Sequence, residues 1–240
     1  MESTKYIFTA GSDDWLTLRS NNITGSDVAT LFGMNKYKSL NKLRKEKLTG
    51  ESEFTQTKFV IAGRILEPTI LLYLSEVLNR KVIHCGGVSE VVVYKHNQAR
   101  LSCTLDGLLN SSIGEIPVEC KTMNLKTFSK YHKDDIFYIP LNYLLQLAVQ
   151  SMCLGCEYGI LTFCIYKTPD DINTLLPIEI IEFIPLSVKF NTKIYELILK
   201  EVEYFYNKVL TDKSNSVSIR KGIKEDMMEL LSTCELKIIT

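Results

Sequence analysis

The sequence predicts a mixed α/β fold in which a central mixed sheet is flanked by helices. The order of the segments carries this prediction: helix-periodic stretches come first, a cluster of strand-like segments follows, and then helix, strand and helix alternate. Apolar residues make up 45% of the 240 residues, enough for a sizeable core. We expect one domain over residues 1–240, with a helical C-terminal extension from about residue 187.

Helices are expected before the strand cluster. Residues 14–20 are predicted to form a short helix, and residues 23–31 a second one with Thr24 at its N-cap. Residues 57–79 show apolar side chains at helical intervals and are predicted to form a long helix, interrupted at Pro68 because proline has no backbone N–H to donate.

The centre and the second half of the chain alternate between strands and helices. The predicted strands lie between Gly, Asn and Ser turns and cover residues 81–85, 88–94, 101–109, 116–122, 159–166 and 178–184. The predicted helices repeat apolar residues every three or four positions and cover residues 142–154 and 187–210. The tail from Ser218 is expected to be helical and peripheral.

Targeting and cysteine features favour an intracellular protein. No apolar run reaches the roughly 18 residues that a membrane helix needs, so we expect no membrane contact. The first residues lack the basic start and long apolar stretch of a signal peptide. The seven cysteines are odd in number and favour reduced core thiols. Cys153 and Cys156 form a lone CxxC, for which a metal role would need more cysteines at matched spacing.

The charge distribution is balanced overall and uneven locally. The chain has 28 basic and 28 acidic residues, so net charge gives no indication of nucleic-acid binding. Residues 36–47 nevertheless hold six Lys or Arg against one Glu. Such a run is either a solvated face or a patch that follows a phosphate backbone.

The most informative local pattern joins Asp106 to Glu119 and Lys121. Residues at i and i+2 of a strand face the same side, so Glu119 and Lys121 project together and Cys120 turns into the apolar layer. A tight hairpin can bring Asp106 beside them. Two carboxylates with one ammonium suit a hard cation such as Mg²⁺ and hydrolysis of a phosphodiester. The alternative is an ordinary exposed strand with an ion pair.

A third acid lies on the long predicted helix. Glu67 follows Gly63 by one helical turn, sits among apolar neighbours and precedes Pro68. A buried carboxylate is costly unless it is paired or bound to metal, so Glu67 is a candidate for the same site. The alternative is an exposed Glu on a kinked helix.

Two further features lie outside the strand cluster. Ser26 falls in the first turn of the predicted second helix, where free N–H groups attract anions, and Arg19 can add a guanidinium fork to the same phosphate. Gln146 and Gln150 are four residues apart on an apolar helix, and an amide there can orient an attacking water. The alternatives are a capped helix beside a surface Arg, and a satisfied core amide.

Taken in order, these motifs resemble the lambda exonuclease family, also called the YqaJ-type viral recombinases, within the PD-(D/E)XK nuclease superfamily. The matching motifs, over about residues 13–166, are Trp15/Arg19, Ile23-Thr24-Gly25-Ser26, Gly63/Glu67-Pro68, Asp106-Gly107, Glu119/Lys121 and Tyr143/Gln146. The resemblance implies a restriction-endonuclease-like core. It also implies 5′-to-3′ digestion of double-stranded DNA in viral recombination, with a single-strand annealing partner and a trimeric assembly, in the host-cell cytoplasm if the protein is phage-encoded.

The resemblance also implies roles for individual residues. The implied metal ligands, for Mg²⁺ with Mn²⁺ as a substitute and two ions in the site, are Asp106, Glu119, the carbonyl of Cys120 and, in support, Glu67. The implied catalytic residues are Glu67, Asp106, Glu119, Lys121 and Gln146, of which the last two handle the attacking water. The residues implied for the 5′-phosphate are Arg19, Ser26 and Thr24.

Three other functions remain compatible with the same residues. An endonuclease or junction resolvase would use the same metal site without a need for a 5′-phosphate pocket. A non-catalytic DNA-end-binding module would need no complete set of acids. An RNA-acting nuclease would use the same chemistry, because a metal site recognises the phosphate rather than the sugar.

Overall fold

The structure, a computed structural model, describes residues 3–51, 57–87, 90–168 and 178–240. The helices are α1 (Asp13–Asn21), α2 (Val28–Leu31), α3 (Leu40–Thr49), α4 (Lys58–Val77), α5 (Leu125–Phe128), α6 (Leu141–Cys153), α7 (Thr192–Tyr204) and α8 (Ile223–Ser232), with a short π-helix after α7 (Phe205–Val209). The strands are β1 (Ser3–Thr9), β2 (Ile23–Thr24), β3 (Val82–His84), β4 (Glu90–His96), β5 (Leu101–Thr104), β6 (Gly107–Ser111), β7 (Gly114–Asn124), β8 (His132–Lys133), β9 (Ile136–Phe137), β10 (Tyr158–Lys167), β11 (Glu179–Lys189) and β12 (Glu235–Ile238).

A six-stranded mixed sheet forms the centre of the molecule. Its strand order is β12-β11-β10-β7-β6-β3, with β7 and β10 parallel and the other neighbours antiparallel. The prediction of a central mixed sheet flanked by helices is confirmed. The described residues also form a four-stranded sheet in the order β1-β4-β5-β2, which the sequence pattern did not predict.

Helices cover both faces of the central sheet. Along β10, Leu161, Phe163 and Ile165 join the main core with α6, whereas Cys164 joins a cluster with Leu66 of α4. Because successive strand residues point to opposite faces, α4 and α6 lie on opposite sides of the sheet. Each such buried apolar side chain stabilises the fold by roughly 1.5–3 kcal/mol.

Gly107 allows α4 to pack closely against β6. A Cβ atom at this position would lie 2.6 Å from Cδ2 of Leu71 and 3.2 Å from Cγ1 of Val82. Any larger residue would push α4 away from the sheet. The glycine that follows Asp106 therefore brings the helix that carries Glu67 close to the start of β6.

Two predicted elements in the first half differ in the structure. The predicted strand over residues 101–109 is wrong as one element, because the chain leaves the four-stranded sheet after β5 and enters the central sheet at β6. The helix predicted over residues 23–31 is also wrong at its start, because Ile23 and Thr24 pair with β5 as a parallel strand. Only one turn, α2, remains helical.

The C-terminal part is less purely helical than expected. Residues 187–189 continue β11, because Ser187 and Val188 pair with β10, and Asn191 then caps α7 by accepting from the backbone N–H of Lys193 at 3.0 Å. The tail is not peripheral. Helix α8 buries Met227 in the main core, and β12 adds an edge strand to the central sheet.

The other predicted helices and strands agree with the structure apart from shifts of their ends. The predicted interruption of the long helix at Pro68 is wrong, because α4 runs from Lys58 to Val77 as one helix with Pro68 inside it. Val88, the first residue of the predicted strand 88–94, lies outside the described residues. Among the described residues, no helix has both the length and the apolar character needed to span a bilayer.

Candidate active site

Asp106 occupies the point at which the chain passes from one sheet to the other. Its carbonyl oxygen accepts hydrogen bonds from the backbone N–H groups of Cys85 (2.9 Å) and Gly86 (3.3 Å). Its carboxylate Oδ2 accepts from the backbone N–H of Cys120 at 2.8 Å. Asp106 is therefore held at its backbone and at its side chain, beside strand β7.

Glu119 and Lys121 project from the same side of β7, as their spacing predicted. The Lys121 ammonium contacts the Oε1 atom of Glu119, which is 1% exposed. The ammonium also lies 5.1 Å from the ring centroid of Tyr143, within range of a cation–π interaction. Burial alone would lower the pKa of Lys121, but Glu119 and Asp106 outweigh it and hold the pKa above its usual range, so Lys121 is a cation.

Three carboxylates act on one another at this site. The pKa of Asp106 is raised well above its usual range by burial, by Glu119 and by Glu67, while Lys121 opposes the shift. The structure thus brings Glu67, from α4, into the electrostatic neighbourhood of the two acids predicted on the sheet.

His84 holds Glu67 and was not predicted as a site residue. Its Nε2 atom lies 2.8 Å from Oε1 of Glu67. A Cβ atom at Gly86 would lie 2.8 Å from the same oxygen, so only glycine fits beside the carboxylate without a shift. Glycines directly after a strand often mark such close approach, and this signal could have drawn attention to the segment.

The amide that reaches the acids is Gln150 rather than Gln146. The Nε2 atom of Gln150 donates to Oε2 of Glu119 and to the carbonyl oxygen of Thr104, the latter at 2.9 Å. Gln150 is fully buried, and its Oε1 atom has no hydrogen-bond partner. Gln146 lies one turn earlier and packs near Gly25 instead. Both amides lie on α6, as predicted, but of the two it is Gln150 that contacts Glu119.

We expect Gln150→Met to lower the free energy of unfolding by about 1.5–3 kcal/mol, because the buried Glu119 carboxylate loses a hydrogen-bond donor. Gln146→Met is the matched control on the same helix and should change stability by less than about 0.5 kcal/mol. Chemical denaturation of both variants measures the difference. Equal effects of the two substitutions would contradict the assignment of Gln150 as the donor to Glu119.

The donor set suits a divalent cation. Carboxylate oxygens are the ligands that Mg²⁺ prefers. Burial raises the pKa of Asp106, Glu119 and Glu67 raise it further, and a cation would relieve the repulsion among these acids. In the part of the chain that the structure describes, no three His, Cys, Asp or Glu side chains already stand at ligand spacing. The Oε1 atom of Glu119 contacts the Lys121 ammonium instead.

The residues predicted for the 5′-phosphate lie around β2. Ser26 is exposed. The prediction that it lies in the first turn of a helix is wrong, because α2 begins at Val28. Its hydroxyl lies 3.0 Å from that of Thr24. The Arg19 guanidinium stacks over Trp15, 4.9 Å from the ring centroid. Among the described residues no hydrogen bond joins Arg19 to Ser26, so their joint role stays a prediction.

An ion-pair network next to Arg19 was not predicted. The Lys47 ammonium lies 2.9 Å from Asp27 and donates to the carbonyl oxygens of Arg19 (2.8 Å) and Asn22 (2.7 Å). Lys38 also pairs with Asp27, at 3.0 Å. Burial alone would raise the pKa of Asp27, but Lys47 and Lys38 hold it well below its usual range.

This network changes the interpretation of the basic run at residues 36–47. Lys38 and Lys47 are paired with acids, so they fix the α1–β2 and α3 segments together. The run is therefore neither a purely solvated face nor a continuous patch for phosphates.

Comparison with known families gives one match. The sequence profile of the family described as the YqaJ-like viral recombinase domain matches residues 14–157, more than half of the chain. No protein with a curated description matches the sequence.

Three solved structures share the fold. An alkaline exonuclease (LHK-Exo) from Laribacter hongkongensis is 19% identical, with a TM-score of 0.58 over 92% of this chain and 97% of that chain. LHK-Exo in complex with dAMP is 20% identical, with a TM-score of 0.59 and the same coverage. A phage related exonuclease from Haemophilus somnus 129PT is 11% identical, with a TM-score of 0.58 over 83% of this chain and 100% of that chain. The likeness confirms the predicted restriction-endonuclease-like core.

Proposed function

Because this chain belongs to the family of YqaJ-like viral recombinase domains, we propose that it is a metal-dependent DNA exonuclease that resects double-stranded ends during recombination. The structural neighbours named as exonucleases support the proposal, and one of them is described in complex with dAMP, a deoxynucleoside monophosphate. Digestion runs from the 5′ end, by resemblance to the lambda exonuclease family.

The convergence of Asp106, Glu119 and Lys121 is the observation that carries the proposal. A buried Glu119 beside a partly buried Asp106 is costly in an ordinary structural role, since burial and then the Glu119 carboxylate disfavour ionisation of Asp106. The same arrangement is useful for phosphodiester hydrolysis, which needs oxygen ligands for a cation and a positive charge beside the reacting phosphate.

Each residue of the site would have a separate role. Asp106 and Glu119 would bind Mg²⁺ or Mn²⁺, and the Cys120 carbonyl and Glu67 would support them. The family resemblance implies two metal ions. The bound metal supplies activation of water and partial neutralisation of the scissile phosphate. Lys121 remains protonated because its pKa is raised, so it stabilises developing negative charge rather than accepting a proton.

The supporting residues keep the acids in position. Gln150 holds Oε2 of Glu119, so the carboxylate keeps one fixed oxygen when Lys121 or a cation takes the other. His84 holds Oε1 of Glu67 in the same manner. Gln146, one turn from Gln150, remains the candidate for orienting the attacking water.

The wider assembly follows the family resemblance. We propose a trimer with duplex ends as substrate, a single-strand annealing protein as partner, and an intracellular site of action, in the host cytoplasm if the protein is phage-encoded. The four-stranded sheet and the C-terminal helix α8 contribute buried residues to one common core.

Dependence of cleavage on a free 5′ end distinguishes an exonuclease from an endonuclease. We expect linear duplex with a 5′-phosphate to be digested and closed circular duplex to be left intact. A 5′-hydroxyl end should be digested one to two orders of magnitude more slowly, because each lost charge-assisted hydrogen bond costs about 1.5–3 kcal/mol. Arg19→Ala should remove most of this preference. Initial rates on the three substrates with Mg²⁺ measure all of these effects.

The matched control is Arg80→Ala, which removes an exposed arginine just after α4 and should keep the 5′-phosphate preference. Cleavage of circles as readily as linear duplex would replace the exonuclease proposal by an endonuclease or junction resolvase with the same acids. Binding of ends without any cleavage would favour a non-catalytic end-binding module. Equal digestion of an RNA duplex would remove the restriction to DNA.

A further inference from the structure

A groove lies between the β4–β5 turn and helix α7, and none of the residues assigned to cleavage lines it. Its main cavity has a volume of about 980 Å³. An adjoining cavity of about 350 Å³ reaches the segment after α1 and shares Gln98, Ala99 and Arg100 with the first. The two cavities form one groove with Arg100 at the junction.

His96 lines the main cavity with an unused hydrogen-bond donor. Its side chain is buried, with 3% of the residue exposed, and its Nδ1 atom accepts from the backbone N–H of Gln98 at 3.3 Å. A neutral imidazole that accepts at Nδ1 carries its proton at Nε2. Burial keeps the pKa of His96 below its usual range, so the neutral form applies. Nε2 has no hydrogen-bond partner, although it is buried.

Asn22 lines the adjoining cavity with an unused acceptor. Its Nδ2 atom donates to the carbonyl oxygen of Leu18 at 2.7 Å, which fixes the orientation of the amide. The Oδ1 atom is buried and has no hydrogen-bond partner. Leaving a buried polar atom unpaired is unfavourable, and the two residues that carry this unpaired donor and acceptor both line the groove, which favours a ligand that offers both.

Arg100 and Tyr206 form a flat platform at the junction. The guanidinium lies 4.8 Å from the ring centroid of Tyr206, and Arg100 is exposed. Arginine on an aromatic ring can stack with a nucleobase or hold a phosphate through its fork. Two more cations, Lys95 and Lys200, line the groove on either side of Arg100. Amide side chains that can read base edges also line it, at Asn21, Asn97, Gln98 and Asn207.

We propose that this groove binds a deoxynucleotide unit, with its base between His96 and the Arg100–Tyr206 platform and its phosphate on Arg100 and the neighbouring lysines. The choice of ligand rests on the proposed function. Glu196 and Glu203 also line the main cavity, and carboxylates there can accept hydrogen bonds from exocyclic amino groups of bases but would repel phosphate alone. The nucleotide can come from a released mononucleotide or from the single strand that resection leaves.

The imidazole signals of the protein provide a direct test. The chain has three histidines, so the ring signals of His96 can be followed beside those of His84, at the acid cluster, and His132. Wild-type protein in EDTA, which prevents cleavage, is titrated with dAMP, with inorganic phosphate and with a single-stranded oligodeoxynucleotide of about six nucleotides. We expect dAMP and the oligonucleotide to shift the His96 signals, and phosphate alone to leave them unchanged.

Two groove variants and one control complete the test. Arg100→Gln should weaken nucleotide binding about tenfold, the loss of one charge-assisted hydrogen bond. His96→Phe should weaken it as well, and Arg80→Gln should leave it unchanged. Tighter binding of the oligonucleotide than of dAMP identifies the single strand as the source, and the reverse order identifies the released mononucleotide.

The proposal is overturned if the shifts are confined to His84, if phosphate binds as tightly as dAMP, or if Arg100→Gln binds like wild type. The nuclease assay on linear duplex is run on the same preparation. Active nuclease without binding in the groove contradicts this proposal alone, and binding in the groove by a protein that does not cleave DNA contradicts only the proposed function.

Discussion

Removal of divalent metal ions is expected to abolish DNA cleavage, and addition of Mg²⁺ or Mn²⁺ to restore it. Burial raises the pKa of Asp106, and the Glu119 and Glu67 carboxylates raise it further, so a cation bound by these oxygens would remove their repulsion. Without the cation, neither the attacking water nor the scissile phosphate is activated. Digestion of a linear duplex in excess EDTA, followed by titration with metal, measures the effect.

Calcium provides the control for binding without chemistry. It should bind to the carboxylates and raise the melting temperature of the protein, but support cleavage poorly, since its looser coordination suits in-line attack less well. Glu119→Gln should lose the metal-dependent rise in melting temperature together with activity. Full activity in EDTA would contradict the metal site and every role assigned to its acids.

The sequence predicted the acid cluster because strand geometry is local. Residues at i and i+2 share a face of any strand, so Glu119 and Lys121 had to project together. The Ser111 to Gly114 turn closed a two-stranded hairpin, as the turn residues indicated, and set Asp106 beside Glu119. No knowledge of distant contacts was needed for either step.

The assignment of the amide could not be made from the sequence. Gln146 and Gln150 lie four residues apart on one helical face, so their periodicity is the same. Which of them contacts Glu119 depends on the position of α6 along the sheet. The position of the helix is set by the packing of large side chains from α6, the sheet and α7, and residue spacing within α6 does not predict this packing.

The prediction of a helix that begins at Ile23 is wrong for a related reason. A Thr followed three residues later by an Asp suits a capping box, and the Asp27 carboxylate does accept hydrogen bonds from the backbone N–H and the hydroxyl of Thr24. The same bonds close a turn after a two-residue strand. Pairing of Ile23 and Thr24 with β5, about 80 residues later, decided between the two structures, and it lies beyond the reach of a local pattern.

Lys121→Ala is expected to lower the turnover rate by about 10² to 10³, because a fixed charge beside the reacting phosphate stabilises the transition state by that amount. The pKa of Lys121 is raised, so the ammonium persists as the pH rises, and its loss by titration should not limit the rate in alkaline buffer. Single-turnover rates with saturating Mg²⁺ separate this effect from DNA binding, which should persist.

Stability must be separated from catalysis in this variant, because Lys121 also neutralises the buried Glu119 carboxylate. Removing one partner of a buried pair costs about 3–5 kcal/mol, so the melting temperature is measured with and without Mg²⁺. Lys126→Ala, which removes an exposed lysine just after β7, is the matched control and should leave the rate unchanged. A folded Lys121→Ala protein with a near-normal rate would reduce the Glu-x-Lys pattern to a chance spacing, and the raised pKa would then reflect only a buried ion pair.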